Sequence, residues 1–508
     1  MKTSTIPEQL VLLVRSLTKA EKRYFRLYTG IQSGEKNYMI LFDLINSELS
    51  PDEIYERYCH QLDGKGLEMA TKHLYRVVLD CLEHLRDKQD MQAAIFSAIT
   101  KADILFERSL FDAAFVELEK AKRLALASEN DPLQLLIRRT ELKYLGALGF
   151  EGLSERELVS KQMKIHDIMK YSRNVNLHLQ LYDILKYRIA YKGYARSEKQ
   201  KGDLNDLVLS ELNLIANSSY KGFEARKLHL LFQATYYLNT GNYKSAIRFY
   251  KELITLFETN RHLIQNPPLY YLSAIQGVVD SLHIAGLYDE MPYFISCLED
   301  ITKGDYPIGF ILEVHAMVYL YKFSALLNTG CFEEALHWME SKEEDLFKKI
   351  SQLGLETQLK LNLTLPILYL CLGDINRARK SMKNIFGSGK LYHTFSSYKI
   401  ARLINLLVQA ESGNYDFFEN EINSIKRNIR YEKQTYRTEK LLFRFIKAYP
   451  LPVYRKSKEK LWQQFRKEII PVRQDKYERQ LLKTFDMLAY IESKLTDRPL
   501  SEVMVSPT

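Results

Sequence analysis

Glycine and proline are scarce in this 508-residue chain, at 21 and 13 positions. That scarcity, with 46% hydrophobic residues, excludes collagen-like, low-complexity and disordered classes. The five cysteines (Cys59, Cys81, Cys297, Cys331 and Cys371) are odd in number, scattered and without a CxxC pair. They read as reduced, buried thiols of a cytoplasmic protein and not as a disulfide framework. Long apolar runs are also missing. Leu10–Val14 stops at Arg15, short of the roughly 7–15 residues of a signal-peptide core. The most apolar window, Leu361–Leu372, carries Asn362 and Pro366 and falls short of the about 20 residues that span a bilayer. No membrane span is expected, and the Asn217 and Asn362 glycosylation triplets then match by chance.

Motifs that carry chemistry are missing too. There is no GxxxxGK[ST], GxGxxG, HExxH, GxSxG, EF-hand or kinase signature, and Gly387-Ser-Gly-Lys390 lacks the upstream glycine of a phosphate loop. Cys81 and His84, three apart, with Cys59, His60 and His73 upstream, match no zinc spacing and read as ordinary core and surface residues. The expectation is a chain that is not an enzyme and has no cofactor or metal.

A repeat is present. Residues 230–250 read as helix, tight Gly241-Asn-Tyr243 turn, helix, with small Ala234 and Ala246 beneath the aromatic Tyr237, Tyr243 and Tyr250. The turn recurs as Gly286-Leu-Tyr288, Gly330-Cys-Phe332, Gly373-Asp-Ile375 and Gly413-Asn-Tyr415, at steps of 45, 44, 43 and 40. Upstream, Ser109-Leu-Phe111 fits the same register, with Ala102, Ala114, Leu118 and Ala121 in the equivalent places. Weaker turns at Gly149 and Gly193 suggest eight helix pairs over about residues 91–430.

This small–aromatic–Gly-x-Tyr–Ala pattern resembles the tetratricopeptide repeat, although its spacing of about 44 exceeds that family's roughly 34. Met291 and Phe418 stand where the second helix of that family has Ala, and Pro366 falls in a first helix. The segments Leu17–Phe25 and Lys36–Phe42 are similar to the start of uncharacterised bacterial proteins of the same kind. The resemblance implies an all-α fold: an α-solenoid of helix pairs over 91–430, a non-repeat helical domain over 1–90, and capping helices with a short tail over 431–508. It also implies a concave face lined by first helices.

Projecting the register puts Thr235, Asp280, Ser324, Ile367 and Leu407 on one groove row, and Asn239, Ile284, Asn328, Cys371 and Glu411 on another. Neither row contains Lys or Arg, which disfavours a carboxylate clamp. A mixed groove, more apolar towards its C-terminal repeats, suits a helical or amphipathic peptide. Ile367 and Leu407 read equally well as core, because periodicity does not separate the two. The implied function is a protein-binding scaffold. The alternative is a ligand- or peptide-responsive regulator whose N-terminal domain or basic C-terminal helices bind nucleic acid.

The ends differ in charge. Residues 1–90 are net −1, 91–420 net +1 and 421–508 net +9. Thr18–Glu21 and Ser50–Glu53 form capping boxes, and a longer helix from about Leu67 to Arg86 follows. This order is compatible with a helix-turn-helix reader using Lys72, His73 and Arg76, but a net negative segment lacks the footprint phosphate demands, and a capping domain is favoured. At the other end Lys426, Arg427, Arg430, Lys433, Arg437, Lys440 and Arg444 form a basic stripe interleaved with tyrosines. It fits a nucleic-acid or acidic partner, or the solvated face of a terminal cap.

Overall fold

The computed structural model describes residues 6–30, 37–47, 49–62, 66–86, 90–217, 222–264, 267–387, 391–432 and 437–506. Among them every regular element is helical and there is no strand. The chain forms two compact units. One is Met1–Asn176 with Arg261–Pro267 and Asp305–Phe310; the other is Leu177–Asn260 with Pro268–Gly304 and Ile311–Thr508.

In the first unit α1 (Glu8–Ser16), α2 (Lys19–Gly30), α3 (Asn37–Asn46), α4 (Pro51–Leu62) and α5 (Leu67–Arg86) enclose a core of their own. Both capping boxes form: Glu21 Oε2 accepts from Thr18 N (2.6 Å) and Glu53 Oε2 from Ser50 N (2.8 Å), each with the reciprocal bond. Leu74, Val78 and Cys81 of α5 are buried as their spacing requires. A second core joins α6 (Met91–Glu107), α7 (Phe111–Ala127) and α8 (Asp131–Ala147), where the fully buried Ala102, Ala114 and Ala121 let the helices approach closely. Tyr144 of α8 donates to Asp103 of α6.

The eight-pair expectation changes at α9 (Glu155–Lys192), one helix of 38 residues. Both flanking turns form, with Gly149 at φ +65 and Gly193 at φ +75. No Gly or Pro lies between Glu155 and Lys192, so nothing breaks the helix there. Its Glu155–Asn176 part belongs to the first unit and Leu177–Lys192 to the second.

The second unit continues through α10 (Glu198–Gly202), α11 (Asn205–Asn217), α12 (Phe223–Asn239), α13 (Tyr243–Thr259), α14 (Leu269–Ala285), α15 (Met291–Ile301) and, from Ile311 onward, α16 (Ile308–Asn328). Next come α17 (Phe332–Phe347), α18 (Leu355–Leu372), α19 (Ile375–Phe386), α20 (Ser396–Glu411) and α21 (Asp416–Glu432). The chain closes with α22 (Arg437–Lys447), α23 (Arg455–Gln474), α24 (Arg479–Leu482), α25 (Met487–Thr496) and α26 (Leu500–Val505).

One turn chemistry joins the pairs. Gly241, Gly286, Gly330, Gly373 and Gly413 all have φ between +74 and +79. After each of them an N–H reaches back five residues: Asn242 to Tyr237 O, Leu287 to Leu282 O, Cys331 to Leu326 O, Asp374 to Tyr369 O and Asn414 to Gln409 O, at 2.9–3.0 Å. This satisfies helix-end carbonyls and requires a left-handed residue, which glycine supplies without a Cβ penalty. Ser109 adopts the same conformation (φ 60), and Leu110 N donates to Leu105 O at 3.0 Å. Asn242 and Asp374 then cap the helices that follow.

Residues after 437 share one core with α16–α21. Met487, Leu488, Ala489, Tyr490 and Ile491 are successive buried positions of α25, so that helix is enclosed on every side. Among the described residues α16 is the helix long and apolar enough to cross a bilayer; the Leu361–Leu372 window is part of α18. The apolarity of α16 reflects neighbours on two sides: Tyr321 and Ser324 bond to α14, and Glu313 accepts from Gly354 N (2.7 Å) and Thr357 Oγ1 (3.0 Å) at the start of α18.

Candidate binding site

The rows read from the register run along the ends of α12, α14, α16, α18 and α20 nearest the glycine turns. Thr235 shares hydrogen bonds with Tyr182 and Tyr250, whose hydroxyls burial holds well above their ordinary pKa. Asn239, buried, accepts from Ala195 N at 3.2 Å. Asp280 accepts from Tyr321 Oη (2.9 Å) and pairs with Lys483. Burial pushes the Asp280 pKa up, but Lys483 and Tyr321 outweigh it and the carboxyl ends below its usual value.

Ser324 and Asn328 converge on His283, whose Nε2 lies 2.9 Å from Ser324 Oγ and 3.1 Å from Asn328 Nδ2. An amide nitrogen only donates, so Nε2 accepts and the ring proton sits on Nδ1, which has no hydrogen-bond partner among the described residues. Burial, then the charge of Lys483, push the His283 pKa down to about 3 against the pull of Asp280. The ring is neutral at physiological pH. Ile367 and Leu407 are 1% and 0% exposed and belong to the core that contains Leu488 and Ile491, so these two positions are walls of that core and not open groove.

What lies along the polar positions is the chain's own segment 476–498. Tyr243 Oη donates to Lys476 O (2.7 Å), and Gln480 Nε2 donates to Leu238 O (2.9 Å). Lys476 Nζ and Tyr477 Oη both reach Glu198 Oε1, at 2.7 and 2.8 Å. Those bonds, Lys476 first, bring the Glu198 pKa down to about 2. Lys483 meets Asp280. Further on, Glu411 receives Tyr449 Oη (2.6 Å), Tyr490 Oη (2.9 Å) and Lys494 Nζ (2.9 Å). Burial opposes ionisation of Glu411, yet these three donors leave its pKa lowered. A Cβ on Gly330 would stand 2.5 Å from Ser501 O, so glycine there serves both the turn and the passage of the segment.

Register arithmetic located the acceptors Asp280 and Glu411 but not their donors Lys483, Tyr490 and Lys494, which lie outside the repeat. The run Phe485–Ile491, apolar except for Asp486, was the available signal of a helix enclosed on all sides.

The basic stripe is placed only in part, because the Arg430 side chain and Lys433 lie outside the described residues. Arg427, Arg437, Lys440 and Arg444 are exposed. Lys426 sits 5.7 Å from the Phe443 ring, and Arg444 binds Glu468 at 2.6 Å while lying 4.4 Å from the Phe465 ring. In the first unit Lys72 pairs with Glu68 (2.7 Å) and Arg76 contacts His73 (3.0 Å), so the α5 residues considered for a DNA groove are engaged along their own helix.

Among the described residues no group of three or more His, Cys, Asp or Glu is placed to hold a metal ion. Burial, then Glu21, raise the Cys81 pKa to about 11, opposite to the shift that activates a thiol. A cleft of about 300 Å³ in the first unit is lined by Phe115, Val116, Ile137 and Glu141 among others, none of them row residues. The chain matches no protein-family model, no curated protein and no solved structure with which it was compared.

Proposed function

We propose that this chain is a non-enzymatic protein-binding scaffold. Its helix pairs stack as a tetratricopeptide-like α-solenoid, and its first-helix row grips an amphipathic helical segment. Hydrogen bonds between residues 41 to 45 apart support the stacking: Asp103–Tyr144, Ala195–Asn239, Asp280–Tyr321, His283–Ser324, His283–Asn328 and Glu313–Thr357. Each links positions about one repeat apart, as nearest-neighbour packing of a repeat array requires.

The observation that carries the binding reading is the complementarity between row and segment. The two rows are polar at Asp280 and Glu411 and apolar at Ile367 and Leu407, and Leu238 O lies next to the row position Asn239. Segment 476–498 sets Gln480, Lys483 and Lys494 on the polar positions and joins Leu488 and Ile491 to the apolar ones. A ligand helix read at i, i+3, i+4 and i+7 with cations at its ends has the same chemistry.

A peptide of residues 475–501, labelled for anisotropy, tests this against a Lys483→Ala/Lys494→Ala chain whose own segment is loosened. Saturable binding that weakens when Asp280→Asn and Glu411→Gln are added supports the reading. No binding by a chain whose tryptophan fluorescence shows it folded contradicts it.

A further inference from the structure

The loop between α22 and α23 carries an unexplained feature. Val453 and Tyr454 are 89% and 80% exposed, the two most exposed large apolar side chains among the described residues. They are adjacent, at the tip of Tyr449-Pro-Leu-Pro-Val-Tyr454, where Pro450 and Pro452 fix φ and limit collapse of the loop onto the body. The base of the loop is anchored: Tyr449 donates to Glu411 at 2.6 Å, and Leu451 packs against the core. A rigid pedestal therefore presents a Val–Tyr pair to solvent, with Lys447 at the end of α22 and Arg455 and Lys456 opening α23 beside it.

The surrounding charge is mainly positive. Lys447, Arg455, Lys456 and Lys460 are exposed and have no carboxylate partner among the described residues, whereas Lys458 is neutralised by Asp497 at 2.5 Å and Arg444 by Glu468 at 2.6 Å. Glu459 is the acid that shares this turn of α23. Lys456, Lys460 and Lys467, spaced four and seven apart, continue the positive face along α23.

We propose that this tip docks the protein on an anionic lipid surface. Val453 and the Tyr454 ring enter the headgroup–acyl boundary, and Lys447, Arg455, Lys456 and Lys460 lie against the lipid charge. Nucleic acid fits this tip less well than lipid. Bases stack on aromatic faces and phosphates need only cations, so neither accounts for an aliphatic residue held almost fully in water. An interfacial anchor needs an apolar residue, an amphipathic ring and flanking cations together. The lipid-facing residues Val453, Tyr454, Lys447, Arg455, Lys456 and Lys460 lie outside the helix rows, so vesicle binding is measured independently of peptide binding there.

Flotation of the full-length protein with vesicles of phosphatidylcholine, alone or with phosphatidylserine, tests it, with single-stranded RNA as a separate arm. The expected result is binding to the phosphatidylserine vesicles only, weakened by salt. Val453→Ser/Tyr454→Ser should reduce partitioning at least about tenfold through lost apolar burial. Lys456→Gln and Lys460→Gln should each reduce it about fivefold, the equivalent of roughly 1 kcal/mol per cation near the surface. All four positions are exposed, so unchanged Trp462 fluorescence identifies folded variants. Absent binding, equal binding to both vesicles, or indifference to the double substitution overturns the proposal. So does tighter binding of RNA that ignores Val453 and Tyr454, which would assign the surface to nucleic acid.

Discussion

Replacing Lys483 by Met isolates the contact between the C-terminal segment and the helix row. Methionine keeps the length and apolar stem of lysine but removes the cation, leaving the Asp280 carboxylate with Tyr321 as its remaining donor. Breaking a fully buried pair costs about 3–5 kcal/mol. Here the side chains are 30% and 17% exposed, so water screens the orphaned charge and the cost falls to about 2–3 kcal/mol. Asp280→Asn removes the charge that needs compensation, so the double variant should lose less than the two singles together, with a coupling of about 1–2 kcal/mol. Denaturant unfolding followed by tryptophan fluorescence is the assay, because Trp338 and Trp462 are the chain's two tryptophans and both lie in the second unit. A loss below about 0.5 kcal/mol, or strictly additive singles, would refute the claim that this pair fastens the segment.

Other outcomes follow from the same contacts. The His283 pKa is depressed in the fold, so below its ordinary value of about 6.5 the unfolded chain takes up a proton that the fold refuses, and stability falls as pH falls. Between pH 7 and 5 this should amount to about 1–2 kcal/mol, read by denaturant midpoints and reduced in His283→Gln; His178, also depressed by burial, accounts for part of the remainder. Gly330→Ala meets both a φ of +75 and Ser501 O, whereas Gly373→Ala meets a φ of +79 and open space. Both should lose about 1 kcal/mol to backbone strain, and only the first should also speed hydrogen exchange across α26. Ser109→Gly should stabilise the α6–α7 pair by about 0.5–1 kcal/mol, seen as slower exchange of its amides, because it relieves a left-handed serine.

The helix pairs were legible in the sequence because their turns have a backbone requirement that few residues meet. Five glycines satisfy it, and the sixth turn, at Ser109, shows through its register and the matching Ala102, Ala114, Leu118 and Ala121 although it lacks the glycine. The same rule over-counted at α9: two left-handed turns about one step apart look like the ends of a pair, yet the intervening residues contain nothing that stops a helix. The groove rows were half legible. Asp280, Ser324 and Asn328 fell on polar positions that do form contacts, but Ile367 and Leu407 look identical in sequence whether they face water or core. In residues 431–508 the exposed cations Arg437, Lys440 and Arg444 dominate the sequence pattern, while the apolar positions that bury α25 carry the packing. Nothing local links Lys483 to Asp280 across 203 residues; only the fold does.

Zero-length carbodiimide cross-linking of the monomer, read by mass spectrometry, shows whether segment 476–498 lies on the first-helix row. It should join Lys476 to Glu198 and Lys494 to Glu411, pairs standing 2.7 and 2.9 Å apart, and the first should vanish in Glu198→Gln. Absence of both links in a protein that gives the local Lys72–Glu68 link, 2.7 Å apart on α5, would contradict the account.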